Sequence, residues 1–359
     1  MSEQKLRAGV IGLGVGGNHA RGYLGSPYAE LVALCDSNDA RLQENAAKWT
    51  VQRRYTDYHE MFRDAELDIV SICLPNALHA EVTIEALKAG MHVVCEKPMA
   101  LSVAEAEQMI EAAERYNRRL MVCYNWRYRP DSQWMKRVAA SGRLGDIYHV
   151  HVAWRRETGI PGWGLFGSKA ASGGGALIDL GVHVIDLGLW MLDWPTVTTV
   201  TGDTRSLFGP HSYKTWGRSA GATFEGFDVE DGGTGYARLS TGATMNIHVT
   251  WAEHTMPQED SMRIELHGTQ GTAVQYIRNY SLNDSLRLYT EIEGEPVTIT
   301  PSLRPGNGLS AHENLIQEIA DCIAHDRPSP TTGEQGLAAI KVLEGLYKSA
   351  ETKREVVLA

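Results

Sequence analysis

Two groups of side chains in this 359-residue sequence suit proton transfer and the binding of oxygen: Lys97, within Glu96-Lys97-Pro98, and the set Asp179, His183 and Asp186. A lysine ammonium can bind a substrate hydroxyl and stabilise the alkoxide that develops as its proton leaves. Histidine has the proton affinity that acid–base work near neutral pH requires. Spacings of four and three place Asp179, His183 and Asp186 on one face of a helix, where Asp179 can orient and polarise the imidazole. Three such ligands can also bind a metal. Neither an HExxH motif nor a cysteine cluster accompanies them, and no metal is expected.

The stretch Gly12-Leu13-Gly14-Val15-Gly16-Gly17 fits GxGxxG. It follows a strand-like run and opens a helix, the context in which this motif cradles a dinucleotide pyrophosphate. Gly12 is expected to allow the tight turn, Gly14 the close approach of backbone to phosphate, and Gly17 the close packing of helix on strand. Asp36 ends the second strand-like run, where its carboxylate can accept hydrogen bonds from ribose hydroxyls and repel a 2′-phosphate. NAD is therefore favoured, while Arg41, a turn into the next helix, leaves NADP open. With such a cofactor the chemistry is hydride transfer, which needs no metal.

The elements that must position these groups follow from the hydrophobic pattern. Strand-like runs Arg7–Ile11, Leu31–Cys35, Ile69–Leu74, His92–Cys95 and Leu120–Tyr124 alternate with helical stretches Gly17–Leu24, Ala40–Trp49, Ala77–Ala89 and Ser102–Tyr116. This is the pattern of a parallel α/β sheet, a Rossmann-type domain over residues 1–125. Asp39 and Ser102 read as helix N-caps, Ser102 with Glu105 as a capping box, and Gly90 as a C-cap. Residues 126–359 read as an α+β domain built on a large, mostly antiparallel open sheet. It has helices at Asp131–Ala140 and Ala176–Leu192, a long strand at Ile147–Arg155, a β-rich span from Val197 to Ile299, and two closing helices at Ala311–His325 and Gly333–Thr352. In an open parallel sheet the ligand crevice lies beyond the strand C-termini, which is where Lys97 falls.

Composition narrows the partners. The 34 basic and 44 acidic residues give a net charge of −10, which disfavours nucleic acid and anionic membrane as partners. Neither a signal peptide nor a membrane-length apolar run stands out. Five cysteines form no CxxC pair and sit mostly in apolar segments, which points to buried thiols and a reducing cytoplasm.

In order along the chain, GxGxxG, Leu74-Pro75-Asn76 with His79, Glu96-Lys97-Pro98, Asn125-Trp126-Arg127 and the run Gly173-Gly174-Gly175 through Asp179 to His183 resemble the Gfo/Idh/MocA family, that of glucose–fructose oxidoreductase and inositol dehydrogenase. The resemblance spans nearly the whole chain. It implies a Rossmann domain followed by an α/β domain whose sheet often makes oligomer contacts, here a homo-oligomer. It implies that Lys97 and His183 are catalytic, with Asp179 binding substrate or assisting. It also implies that Leu74, Pro75, Asn76, His79, Glu96 and Asn125 line the cofactor. Trp163 matches a family tryptophan near the nicotinamide, although Gly164 follows it where relatives often have Arg.

The function so implied is hydride exchange between a sugar or polyol CH–OH group and NAD(P). An NAD-requiring glycosidase and a non-catalytic NAD-binding regulator are the alternatives. On the substrate side the second domain offers Trp154, Arg155, Arg156, Trp163, Trp216 and Trp251. Aromatic faces with polar rims suit carbohydrates. Arg127 and Arg155, each near the end of an expected strand, are read as substrate contacts together with Trp154, Lys97, Asp179 and His183. The segment from Tyr213 to Arg218 reads as a lid or an oligomer contact.

Overall fold

The computed structural model describes residues 5–216, 226–304 and 306–358. The chain divides into two compact units, Met1–Tyr128 with Asn307–Leu337, and Arg129–Gly306 with Ala338–Ala359.

The first unit holds strands β1 (Leu6–Ile11), β2 (Ala29–Cys35), β3 (Arg53–Tyr55), β4 (Ile69–Ile72), β5 (His92–Cys95) and β6 (Leu120–Val122). They pair in the order β3-β2-β1-β4-β5-β6, all parallel. Helices α1 (Gly16–Gly25), α2 (Asp39–Trp49), α3 (Tyr58–Asp64), α4 (His79–Lys88) and α5 (Val103–Arg115) connect the strands. Val10, Leu34, Ile69 and Val94 are wholly buried, as befits strands covered on both faces. The order reverses between β1 and β4, and ligands bind such sheets at the C-terminal ends of the strands flanking that point.

Two short elements were not legible in the sequence. β3 is three residues long and two of them are arginines, so no alternation marks it. α3 is seven residues long, too short for a clear apolar stripe, and rests on its Asp57 cap. The cap of α2 is Asn38 rather than Asp39: the Asn38 side chain accepts from the Arg41 N–H. Ser102 caps α5 as expected, accepting from Glu105 N–H, but the Glu105 carboxylate takes the N–H of Leu101 instead of closing the box on Ser102.

The second unit contains α6 (Pro130–Ala140), β7 (Ile147–Arg156), β8 (Ile160–Pro161), α7 (Lys169–Ser172), α8 (Val182–Met191), β9 (Val197–Arg205), β10 (Thr215–Trp216), β11 (Gly232–Leu239), β12 (Thr244–Thr250), β13 (Asp260–Gly268), β14 (Gly271–Arg278), β15 (Leu286–Ile292) and β16 (Glu295–Ile299). With β17 (Val356–Val357), eight of these strands form a nine-stranded sheet in the order β16-β15-β14-β13-β7-β12-β11-β9-β17. Only the β7–β12 pairing is parallel. Alternation puts Val150, Val152, Trp154 and Arg156 of β7 on one face, against which α8 packs. A Cβ on Gly188 of α8 would lie 3.0 Å from Val152 Cγ1 and 2.8 Å from Met245 Cε, so glycine there permits the close contact. The other face carries His151, Arg155, His248, Arg263 and Glu265 and is polar.

β8 and β10 pair separately, in parallel, and Lys214 forms an ion pair with Glu157 beside them. This accounts for Tyr213–Trp216 of the expected lid segment; its Gly217 and Arg218 lie outside the described residues. The stretch Lys169–Met191 is long and apolar enough, by length and composition, to cross a membrane, but 89% of its apolar window is buried within the protein, as in a core helix.

The tail changes the two-segment division expected from sequence. α9 (Ala311–Ala324) belongs to the first unit, and the boundary with the second falls inside α10 (Gly333–Thr352). Leu315, Ile316, Ile319 and Ala320 of α9 join the core formed by α1 and the parallel sheet. A Cβ on Gly22 of α1 would sit 2.6 Å from Ile316 Cβ, so this glycine admits α9.

Candidate active site

In the first unit the loop after β1 is a cradle made by glycine. Gly12 has φ +83°, and a Cβ there would lie 2.3 Å from Cys73 O. A Cβ on Gly14 would meet nothing within 4 Å, leaving backbone open to a ligand. The helix–strand packing role falls on Gly16 rather than Gly17. A Cβ on Gly16 would lie 2.8 Å from Val10 Cγ1, whereas one on Gly17 would reach only Trp49, at 3.7 Å. The cradle fits a dinucleotide: open backbone lies at the N-terminus of α1, and Asp36 ends the adjacent strand β2.

Asp36 is buried and fully engaged. It accepts from Leu13 N–H at 2.8 Å and Asn38 N–H at 2.8 Å, and from Arg41 Nε and Nη2 at 2.8 and 2.9 Å. Burial pushes its carboxyl up, but Arg41 and the two backbone donors outweigh that and hold it below the usual value. Any further donor to Asp36 would share the carboxylate with Arg41.

Loops after β4 and β5 form the next layer. Leu74, Pro75 and Asn76 follow β4. His79 is wholly buried, with Nε2 2.9 Å from Leu74 O and Nδ1 2.7 Å from Pro98 O. Both ring nitrogens face main-chain oxygens, so His79 ties these two loops together rather than facing a cofactor.

Glu96 is buried, with Oε1 2.9 Å from His19 Nε2 and Oε2 accepting Lys97 N–H at 3.1 Å. His19 Nδ1 in turn lies 3.0 Å from Ser71 Oγ, which Tyr23 Oη approaches at 2.9 Å. Burial pushes the Glu96 carboxyl up, and His19, His312 and Lys97 together overcome this and hold it well below the ordinary range. Burial pushes the His312 imidazole down to about 4. His19, Glu96 and Cys123 bring ligand atoms within 4.8 Å of one another, but the hydrogen bonds already account for that cluster.

Asn125 Nδ2 lies 3.3 Å from His312 Nδ1. Arg127, expected at the substrate, is instead buried: it donates to Gln335 Oε1 at 2.7 Å and Pro330 O at 3.2 Å, with its guanidinium over the Tyr124 ring. Its partners come from the returning tail, which is why sequence position misassigned it.

In the second unit the expected single helix over Ala176–Leu192 is a π-helical turn, Leu177–Gly181, running into α8. Such turns recur at functional sites. Asp179 lies in the turn and its Oδ2 accepts from Trp251 Nε1 at 3.0 Å. His183 is in the first turn of α8, largely buried, its ring 5.7 Å from that of Trp154. Asp186 is wholly buried one turn on.

Two acidic residues missed in the sequence brace this region. The Glu230 carboxylate accepts from Gly175 N–H at 2.9 Å, Leu177 N–H at 2.8 Å and Tyr347 O–H at 2.9 Å. Asp231 Oδ2 accepts the N–H groups of Leu207, Phe208 and Gly209 at 2.7, 2.5 and 2.9 Å. A Cβ on Gly175 would lie 1.8 Å from Glu230 O, so only glycine fits. The signal in the sequence was a Glu-Asp pair just before a strand, which looks like an ordinary turn.

The substrate-side expectations on β7 need correction. Trp154 is buried and donates to Asp260 Oδ1 at 2.7 Å, so it supports His183 rather than offering an edge to substrate. Arg155 points to the opposite, polar face of the sheet, where Nε donates to Glu253 Oε1 at 2.6 Å. Arg156 shares the face of Trp154: it donates to Asp260 Oδ2 at 3.0 Å and lies over the rings of Trp154 and Trp216.

Comparison with known proteins gives the family. Residues 6–124 match the model described as oxidoreductase family, NAD-binding Rossmann fold, and residues 136–358 match that family's C-terminal alpha/beta domain. The chain belongs to the Gfo/Idh/MocA oxidoreductase family. It is an NAD-dependent oxidoreductase. It is 29% identical to D-glucoside 3-dehydrogenase of Escherichia coli (strain K12) over 100% of this chain and 99% of that protein. It is 32% identical to a putative UDP-kanosamine synthase oxidoreductase subunit of Amycolatopsis mediterranei (strain S699), over 75% of this chain and 74% of that one. Levoglucosan dehydrogenase in complex with NADH and levoglucosan shares the fold, with a TM-score of 0.86 at 22% identity, over 99% of this chain and 100% of that one.

Within this family frame, Trp163 is half exposed, in the loop that follows β8. Its ring lies parallel to that of Trp216, with 6.5 Å between centroids.

Proposed function

We propose that this oxidoreductase oxidises a secondary alcohol of a sugar or sugar derivative to a ketone, with NAD as acceptor, and that the reaction is reversible. The reading rests most on one observation: a histidine in the first turn of α8 is preceded by a π-turn carrying Asp179, itself held by Trp251. The sugar dehydrogenases among the relatives support the substrate class.

The carbinol carbon gives up its hydrogen with two electrons, and the bound nicotinamide supplies the acceptor for that hydride. His183 takes the hydroxyl proton as the carbonyl forms. Lys97 holds the same oxygen and favours loss of its proton. Asp179 orients the sugar or the imidazole. Gly12, Leu13, Gly14, Val15, Gly16 and Asp36 hold the adenosine and pyrophosphate, and Leu74, Pro75, Asn76, Glu96 and Asn125 line the remainder.

The test is a panel of sugars and polyols incubated with NAD while reduced-cofactor absorbance is followed. Net reduction supports a dehydrogenase; glycoside cleavage without it points to an NAD-requiring glycosidase. Lys97→Ala and His183→Ala should each lower turnover by about 10²–10⁴-fold with NAD binding retained. Near-normal turnover in both variants overturns the assignment.

The same reading has the chain acting as a homo-oligomer through the polar face of the nine-stranded sheet, whose Arg155–Glu253 and Arg263–Glu265 pairs offer both charge signs to a second copy. Sedimentation analysis tests this. A reducing cytoplasm is supported by the five cysteines, all buried and free.

A further inference from the structure

The second unit contains a closed circuit of rings that begins and ends at the proposed catalytic pair. From Asp179 it runs to Trp251 by hydrogen bond, then edge-on to Phe166, with ring centroids 6.4 Å apart, and edge-on again to Trp163 at 6.4 Å. Trp163 lies parallel to Trp216. From Trp216 the path returns through the Arg156 guanidinium, 4.6 Å from the Trp216 ring and 5.4 Å from that of Trp154, to His183.

The members differ in exposure. Trp154 and Trp251 are buried, at 3% and 0%, whereas Trp163 is 52% exposed and Trp216 is partly so. The inner rings are therefore structural, and the outer pair is the solvent-accessible end of the circuit, with Arg156 over one face of Trp216. Exposing a large indole this way forgoes its burial energy. The pair is nonetheless held: Arg156 is fixed by Asp260 and Tyr280, and β10 is paired to β8. A held, exposed, parallel indole pair is suited to the flat apolar face of a ring.

We propose that Trp163 and Trp216 form a second-ring subsite, so that the substrate is a glycoside whose reacting sugar lies at Asp179 and His183 while the ring attached to it lies along the two indoles. This deepens the sugar-oxidation reading and rests on it. It gives Trp163 a substrate part in place of the nicotinamide contact that family resemblance implied. The attached ring is recognised by its apolar face, which a second sugar and an aromatic aglycone both supply.

The experiment compares kcat/KM for glucose, methyl glucoside, phenyl glucoside and cellobiose with the NAD-loaded enzyme. Phenyl glucoside or cellobiose should exceed glucose by about 2–10-fold, the gain of one aromatic stacking contact. Phenyl glucoside leading shows that an aromatic aglycone fills the subsite, and cellobiose leading shows that a sugar does. In Trp163→Ala and Trp216→Ala the ratio of two-ring to one-ring substrate should fall toward one through KM, and Trp163→Phe should restore most of it. Equal kcat/KM for one-ring and two-ring sugars in wild type, or an equal loss for both with weakened NAD binding in Trp163→Ala, overturns the proposal. If neither these four nor the wider panel of sugars and polyols is oxidised, the hydride-transfer reading fails. Calorimetric titration with phenyl glucoside then decides the subsite alone: binding lost in Trp163→Ala supports it, and binding absent in wild type or unchanged in the variant overturns it.

Discussion

The cofactor loop of the first unit and the Asp179–His183 segment of the second are built on opposite plans. The cofactor loop is mainly backbone: Gly12 makes the turn and Gly14 leaves backbone open, and the Asp36–Arg41 pair supplies the charge, Asp36 lying 23 residues from the Leu13 N–H it accepts. The second segment is shaped by distant side chains. Glu230 reaches Gly175 and Leu177 across 55 and 53 residues, and Tyr347 reaches Glu230 across 117. A site made by local backbone conformation leaves a dense motif in the sequence. One held by long-range carboxylates leaves single residues among ordinary ones.

The largest expected effect tests whether both plans depend on glycine alike. Gly12→Ala should abolish measurable NAD binding, since its Cβ would sit 2.3 Å from a main-chain oxygen at φ +83°. Gly175→Ala should leave NAD binding in place yet cut turnover by at least ~10²-fold, because displacing the loop by about 1 Å costs that much. Fluorescence titration of NADH and initial rates separate the two; NAD binding lost in both variants would break the distinction.

A smaller effect sharpens the role of Asp36 beside the cofactor loop. Asp36→Ser with Asn38→Arg should shift the NADP-to-NAD ratio of kcat/KM by about 10–100-fold, since the double change removes a carboxylate and adds a phosphate partner. A wild-type enzyme already preferring NADP refutes the carboxylate argument.

The smallest effect concerns the long-range brace. Burial raises the Glu230 carboxyl above its ordinary 4.5, against the donors that lower it. The folded state therefore holds the proton more tightly than the unfolded chain. The Glu230 contribution to stability should be fully present below the unfolded value and be lost as pH rises from there through the raised folded value. Glu230→Gln should remove that decline and cost about 1–3 kcal/mol at low pH by placing an amide N–H against a backbone donor. Urea unfolding from pH 4 to 8 measures both; an unchanged pH slope in the variant shows that Glu230 does not titrate as stated.

Much of the first unit was readable because its strands are short apolar runs separated by helices with recognisable caps. The exceptions are instructive. β3, with two arginines in three residues, owes its existence to pairing with β2, which no local pattern reports. Arg155 and Arg156 are adjacent and chemically alike, and a one-residue difference in register sends them to opposite faces of the sheet. Arg127 sits beside a strand end yet turns inward, because Gln335 and Pro330 return from the tail to receive it.

The sequence alone determined the parallel sheet, the glycine cradle and the ordered family motifs, because each rests on local conformation or on residue type at fixed spacing. Only tertiary structure decided that α9 closes the first unit, that His19 and His312 flank Glu96, that Glu230 holds the loop before His183, and that two tryptophans 53 residues apart lie parallel. Those contacts come from chain segments brought together by burial of apolar surface, and nothing near either partner in the sequence records which distant residue it will meet.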